Sequence, residues 1–75
     1  MTTIHEINKA TSTVELHELV ERAAAERNCE LDSSMPYKEQ AEFLREEAPK
    51  AGNGEDHMNE LADILDAAET KWFEL

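Results

Sequence analysis

The chain has 75 residues, 18 acidic and 7 basic, and its formal net charge is −11 with neutral histidines. A chain of this size forms one small domain, whose core supplies only about 3–5 kcal/mol of stability unaided. An enzyme cleft of roughly 300–1,000 Å³ would consume most of what it can enclose. The acidic balance argues against DNA or RNA as a direct partner, because phosphate contacts require Lys and Arg.

No apolar run approaches the roughly 20 residues that cross a bilayer, and the N-terminal MTTIHEINKATS lacks the basic start and apolar stretch of a signal peptide. The single cysteine, Cys29, leaves no intrachain disulfide. These features predict one acidic helical domain over residues 1–75 that is cytoplasmic, with a reduced thiol and no membrane partner. An acidic surface is also typical of halophile proteins, which is a competing explanation of the charge.

The first element is a short arm over residues 1–11. Ile4 and Ile7 lie three residues apart, and Thr3 and Glu6 have the spacing of a capping box. This pattern favours a short helix over a single strand or a disordered segment.

The first long helix is predicted over residues 13–28. Ser12 has the position of an N-cap, and Glu15 that of the capping-box residue that reaches back to it. Asn28 offers a stop after a run of strong helix formers. Apolar residues recur on one side at steps of three and four, as expected for an amphipathic helix: Val14, Leu16, Leu19, Val20, Ala23 and Ala24.

The second helix is predicted over residues 35–48. The segment 32–36 supplies capping residues and a proline, which is tolerated in a first turn. Pro49 ends the helix, and the segment 49–54 contains both glycines of the chain and is predicted to be the turn before the next helix. The apolar side of this helix consists of Tyr37, Ala41, Leu44 and Ala48.

The third helix is predicted over residues 55–73. Glu55 and Asp56 occupy its first turn, where the helix dipole favours negative charge. Ile64 and Phe73 widen the apolar face beyond its main line. That line has the alternating spacing of a heptad seam, and its members are Met58, Leu61, Leu65, Ala68, Trp72 and Leu75. The predicted fold is therefore an all-α, three-helix domain with a short N-terminal arm.

The nucleophilic side chains do not form an active-site pattern. Ser12, Ser33 and Ser34 are each explained as helix caps or turn residues. Cys29, at a helix end, is explained as a small and partly buried apolar residue rather than a reactive thiol. No spacing connects these residues to the histidines, so we predict that the chain is not an enzyme.

Metal and nucleotide sites are not predicted either. His57 and Glu60 are one turn apart, but their order is the reverse of the Glu-x-x-His motif of di-metal helical bundles. The segment 52–54 lacks the preceding strand and the following Lys-Ser or Lys-Thr of a phosphate loop. We therefore expect no metal and no cofactor.

The acidic residues lie on the outer faces of the second and third helices. Carboxylates of one sign at a spacing of four residues cost about 0.2–0.5 kcal/mol per pair, so their repetition suggests that the negative field is itself selected. We expect most of these charges to lack a basic partner. Ordinary solubility is the alternative explanation. The candidate contact residues are Glu39, Glu42 and Glu46 on the second helix and Asp56, Glu60, Asp63 and Asp66 on the third.

The first functional hypothesis is a nucleic-acid mimic. Carboxylates repeated at about 5.4 Å per helical turn resemble a phosphate backbone and would occupy the basic channel of a nucleic-acid-handling protein. Small, acidic, helical proteins of this kind include the phage- and plasmid-encoded inhibitors of nucleases, restriction enzymes and CRISPR systems.

The alternative hypothesis is a helical interaction module or regulatory subunit that acts through the apolar face of its third helix. Aromatic residues and Met are enriched at protein interfaces. Such a module would form a homodimer or dock on a larger protein, and the two hypotheses are compatible. The candidate interface residues are Met58, Leu65, Trp72 and Phe73.

Overall fold

A computed structural model describes residues 1–32 and 34–75 of the chain. It contains the helices α1 (Ile4–Asn8), α2 (Thr13–Glu26), α3 (Tyr37–Glu47) and α4 (Glu55–Glu74). In the described ranges there is no strand. The predicted all-α fold with three main helices is confirmed, and the arm forms the short helix α1.

Helix α4 is the central element of the fold. It packs on α1, α2 and α3, whereas no Cα atom of α2 comes within 8 Å of a Cα atom of α3 in these two fully described helices. The fold is thus built around one long helix, with α2 and α3 held apart from each other on its surface. This separation leaves a groove between them.

The core follows the predicted apolar sides of the three long helices, except at Val14 in the first turn of α2, which is 69% exposed. Leu65 is fully buried, and Ile64, which lies outside the heptad line, is buried as well because α4 has neighbours on more than one side. The line itself is buried only in its middle, since Trp72 and Leu75 are both 46% exposed. The largest fully buried apolar side chains are Ile7, Leu16, Val20, Leu61, Ile64 and Leu65.

Local hydrogen bonds fix both ends of helix α2. Ser12 Oγ accepts a hydrogen bond from Glu15 N–H at 3.1 Å, which confirms the predicted N-cap. The Glu15 carboxylate does not complete the capping box, because it accepts instead from Thr11 Oγ1 at 3.1 Å. At the other end Asn28 has a φ of 55°, and Cys29 N–H donates to Ala24 O at 2.9 Å, as in a Schellman motif. The helix therefore ends at Glu26, two residues before the predicted position.

Helix α3 begins two residues later than predicted. Pro36 is its N-cap, with an extended ψ of 152°, rather than a residue of its first turn. The reason is steric, because a residue that precedes proline is disfavoured in the helical region, and Met35 therefore stays outside. Asp32 Oδ1 accepts from Ser34 N–H at 2.9 Å and so forms a turn ahead of the helix. The predicted turn residue Ser33 lies outside the described residues.

The connection from α3 to α4 is made of two 3₁₀ turns. Helix α3 ends at Glu47, Ala48–Lys50 forms the first turn around Pro49, and Gly52–Gly54 forms the second. Gly52 has a φ of 60°, which favours glycine. The predicted turn region is confirmed, and α4 starts at Glu55 as expected.

Candidate functional site

The seven acidic side chains predicted to bind a partner are all exposed. On α3, Glu39, Glu42 and Glu46 lie opposite the buried Ala41 and Leu44, and we call these three carboxylates the acidic face of α3. Together with Asp56 at the start of α4, they form no ion pair within the described part of the chain. For these four residues the expectation of unpaired charge is met.

The other three predicted contact residues, Glu60, Asp63 and Asp66, have arginine partners, contrary to the expectation from the sequence. Arg45 Nη2 donates to Asp63 Oδ1 at 2.9 Å and to Asp66 Oδ2 at 2.5 Å. The hydrogen bonds that Arg45 donates to Asp66 and Asp63 raise its pKa, so it stays protonated. The sequence did not reveal these pairs because the partners come from different helices. Asp63 and Asp66 therefore present less free charge than the acidic face of α3.

Glu60 is paired with Arg27, which is only 4% exposed. Arg27 Nε donates to Glu60 Oε1 at 3.0 Å, Nη1 donates to Ala23 O at 2.9 Å and Nη2 donates to Thr2 O at 3.1 Å. Thr2 N–H in turn donates to Glu26 Oε1 at 2.7 Å, and this hydrogen bond lowers the pKa of Glu26. We call this set the arginine clamp. It ties the N-terminal arm to α2 and α4.

The four residues predicted to form an apolar interface have different environments. Leu65 is fully buried in the chain's own core, so in this structure it contributes to folding and not to an exposed surface. Met58 is half-buried against the core. Trp72 and Phe73 are 46% and 79% exposed at the end of α4, so these two remain accessible to a partner.

A pocket of about 370 Å³ lies where the groove between α2 and α3 meets the end of α4. We call it the aromatic pocket. Its apolar walls include Val20, Leu31, Met35, Tyr37 and Trp72. The rings of Tyr37 and Trp72 are perpendicular, with 6.3 Å between their centroids. The sequence argued against a large enzyme cleft, and this pocket, although within the volume range of small-molecule sites, is open at the surface.

The polar rim of the aromatic pocket is acidic. His17 lies between Tyr37 and Glu21, with 3.3 Å from Nδ1 to the Tyr37 hydroxyl and 3.0 Å from Nε2 to Glu21 Oε1. Burial raises the pKa of Tyr37, and the nearby carboxylates of Glu21 and Glu69 raise it further. Carboxylates from both α2 and α4 therefore contribute a negative potential at the Tyr37 hydroxyl on the rim.

Gln40 is a polar residue in the wall of the pocket and is only 5% exposed. Its Nε2 donates to Met35 O at 2.8 Å, while its Oε1 is buried and has no hydrogen-bond partner among the described residues. The sequence carried a signal for this residue, since Gln40 lies between Tyr37 and Leu44 on an otherwise apolar helix side. The rest of the pocket is assembled from distant segments and had no local signal.

Cys29 is half-buried, and burial raises the pKa of its thiol, which makes it a weak nucleophile. In residues 1–32 and 34–75 no group of three or more His, Cys, Asp or Glu side chains has an arrangement that could hold a metal ion. None of the described helices combines the length and apolar character that spanning a bilayer requires.

No protein-family model, curated protein or solved structure matches this chain.

Proposed function

We propose that this chain is a small, non-enzymatic acidic protein that binds a basic surface of a nucleic-acid-handling protein, with the acidic face of α3 at the centre of the contact. The observation that supports this proposal is the division of charge between the helices. Arg27 and Arg45 are used within the fold, whereas Glu39, Glu42 and Glu46 point outward without a basic partner in the described chain. The repulsion between these like charges is unfavourable for folding, and no ion pair in the described chain compensates for it.

The mechanism is electrostatic competition. Successive turns of α3 present carboxylates about 5.4 Å apart along the helix, and a basic channel that binds phosphates attracts such a row at long range. The bound protein then excludes the nucleic acid from the channel. Asp56 extends this surface, while Glu60, Asp63 and Asp66 contribute less because arginines share their charge. A phage- or plasmid-type inhibitor of a nuclease, restriction or CRISPR system is the functional class that we infer.

The experiment compares two variants that lose the same charge. One carries Glu39→Gln, Glu42→Gln and Glu46→Gln, and its matched control carries Glu18→Gln, Glu30→Gln and Glu55→Gln on exposed sites elsewhere. Each immobilised protein captures proteins from a nuclease-treated lysate, with washes at about 0.1 M and 0.5 M salt, because salt screens exposed charge pairs.

We expect the unmodified chain and the control to retain a nucleic-acid-handling protein at low salt, and the α3 variant to lose it. The captured protein is then purified and tested for competition between the chain and DNA or RNA. Equal capture by both variants, or no competition with nucleic acid, would contradict the proposal and leave solubility as the role of the charge.

A second candidate function is an interaction module that uses the end of α4. The observation that favours it is the exposure of Phe73 and Trp72, two large aromatic side chains beside each other. Phe73→Ser removes the more exposed ring with little effect on the core. If this surface forms the expected homodimer, light scattering at increasing concentration shows dimers of the unmodified chain and monomers of the variant, whereas identical masses would reject it.

A further inference from the structure

We infer that the aromatic pocket binds a small organic cation, namely an ammonium or guanidinium group carried on an apolar body. The pocket is separate from the acidic face of α3, so this inference does not depend on the proposed function. It rests on two properties of the pocket: its apolar walls and its acidic rim.

The walls select the apolar body of the ligand. A volume of about 370 Å³ lies in the range of roughly 300–1,000 Å³ that small-molecule sites occupy. Val20 forms the floor from α2, and Leu31 and Met35 come from the loop before α3. Tyr37 and Trp72 add two aromatic rings, whose faces attract cations as well as apolar groups.

The rim selects the charge of the ligand. Glu21 and Glu69 face the hydroxyl of Tyr37 from α2 and α4, and no Lys or Arg is among the described residues that line the pocket. His17 is the basic neighbour, and it is engaged by Tyr37 and Glu21. An anionic ligand would therefore be repelled, whereas a cation gains from two carboxylates beside a partly apolar site.

The rim also selects hydrogen-bond donors. The carboxylates of Glu21 and Glu69 line the pocket and are acceptors. Ammonium and guanidinium groups have several donors and no acceptor, so their chemistry is complementary to these carboxylates. A neutral apolar molecule of the same shape would gain nothing from them.

The test uses Trp72, the single tryptophan of the chain, as the reporter of binding. Phenethylamine and its neutral analogue phenethyl alcohol are titrated against the intact protein by Trp fluorescence. Amide chemical shifts in two-dimensional NMR provide a second readout that does not depend on the indole. We expect saturable binding of phenethylamine, at least about fivefold tighter than that of the alcohol, with shifts confined to the middle of α2, the loop before α3, the start of α3 and the end of α4.

A pair of charge-matched variants tests the rim. Glu21→Gln with Glu69→Gln is expected to weaken phenethylamine binding at least about fivefold, while Glu39→Gln with Glu42→Gln, which loses the same charge outside the pocket, leaves it unchanged. Far-UV circular dichroism verifies that each variant folds.

Three results would overturn the inference. The first is equal binding of amine and alcohol, the second is equal weakening by both charge-matched pairs, and the third is the absence of saturable binding up to about 10 mM. Saturable binding of N-acetylarginine amide that depends on Glu21 and Glu69 would support the inference, with a guanidinium as the head group. Loss of partner capture by the α3 variant would leave this inference untouched, so the two proposals fail separately.

Discussion

The carboxylates near the two ends of α4 have different surroundings. Near its start, Glu60 is paired with the buried Arg27, which also donates to two backbone carbonyls. Near its end, Glu69 lies beside Tyr37 and Trp72 in an open pocket without an arginine or lysine in its described lining. At the first end the charged groups form hydrogen bonds that stabilise the fold. At the second end the Glu69 carboxylate has no arginine or lysine beside it among the described pocket residues.

The difference follows from how the other helices cover α4. The arm and α1 close over the arginine clamp, so that Arg27 loses its water and gains protein acceptors. At the aromatic pocket α2 and α3 flank α4 without touching each other through their backbones. Glu21 and Glu69 on the rim therefore keep part of their surface exposed to solvent. The comparison predicts that substitutions at the two ends differ in their effect on stability.

The largest effect is expected for Arg27→Met. This change keeps much of the apolar volume but leaves the carbonyls of Thr2 and Ala23 without their donors, and we expect the free energy of unfolding to fall by about 2–4 kcal/mol. Arg22→Met, on the exposed side of α2, should change it by less than about 0.5 kcal/mol. Urea unfolding followed by circular dichroism measures both, and similar losses would show that the clamp has no special role.

A smaller loss is expected for Trp72→Ala at the opposite end. The side chain is 46% exposed, so we expect about half of the roughly 3–5 kcal/mol that truncation of a buried tryptophan costs, a loss of about 1.5–2.5 kcal/mol that includes the perpendicular contact with Tyr37. The same unfolding experiment, followed by circular dichroism, tests this value. A loss of more than about 3 kcal/mol would mean that this end belongs to the core and would weaken the comparison.

Arg45→Met tests ion pairs that lie on the surface between the two ends. Its bonds to Asp63 and Asp66 are half-exposed, so we expect a loss of about 0–1 kcal/mol that disappears at high salt. The variant also frees two carboxylates, which should strengthen salt-sensitive capture by basic partners. A stability loss that persists in about 1 M salt would show that packing of the arginine stem matters more than its charge.

The smallest effect concerns the pH dependence at the clamp. Donation from Thr2 N–H lowers the pKa of Glu26, so its contribution is present above the ordinary carboxyl pKa of about 4.3 and is lost as the pH falls through the lowered value of the folded state. Glu26→Gln should therefore be less stable than the unmodified chain near neutral pH, and the difference should vanish in acid. A difference that is independent of pH, or equal to that of Glu18→Gln, would contradict this assignment.

Local features of the sequence predicted most of the secondary structure. Ser12 caps α2 and Asn28 adopts the left-handed conformation that ends it, because both act through backbone groups a few residues away. The periodic apolar residues marked the buried sides of α2, α3 and α4 for the same reason. The predicted start of α3 is two residues too early, because Pro36 disfavours a helical conformation of the residue before it.

The site was less predictable, because its residues are far apart along the chain. The acidic face of α3 was evident from the spacing of three glutamates within one helix. The pairing of Arg45 with Asp63 and Asp66 spans 18 and 21 residues, and that of Arg27 with Glu60 spans 33, so no local pattern could reveal which carboxylates are neutralised.

By itself the sequence determined the helices, their apolar sides and the strongly negative charge, since these depend on neighbouring residues and on composition. Only the tertiary structure decided where that charge stays free. It directed two arginines to α4, enclosed Thr2 in the arginine clamp and placed Tyr37 beside Trp72. The physical reason is that helix packing brings together side chains whose interaction falls off within a few ångströms, whatever their separation in the chain.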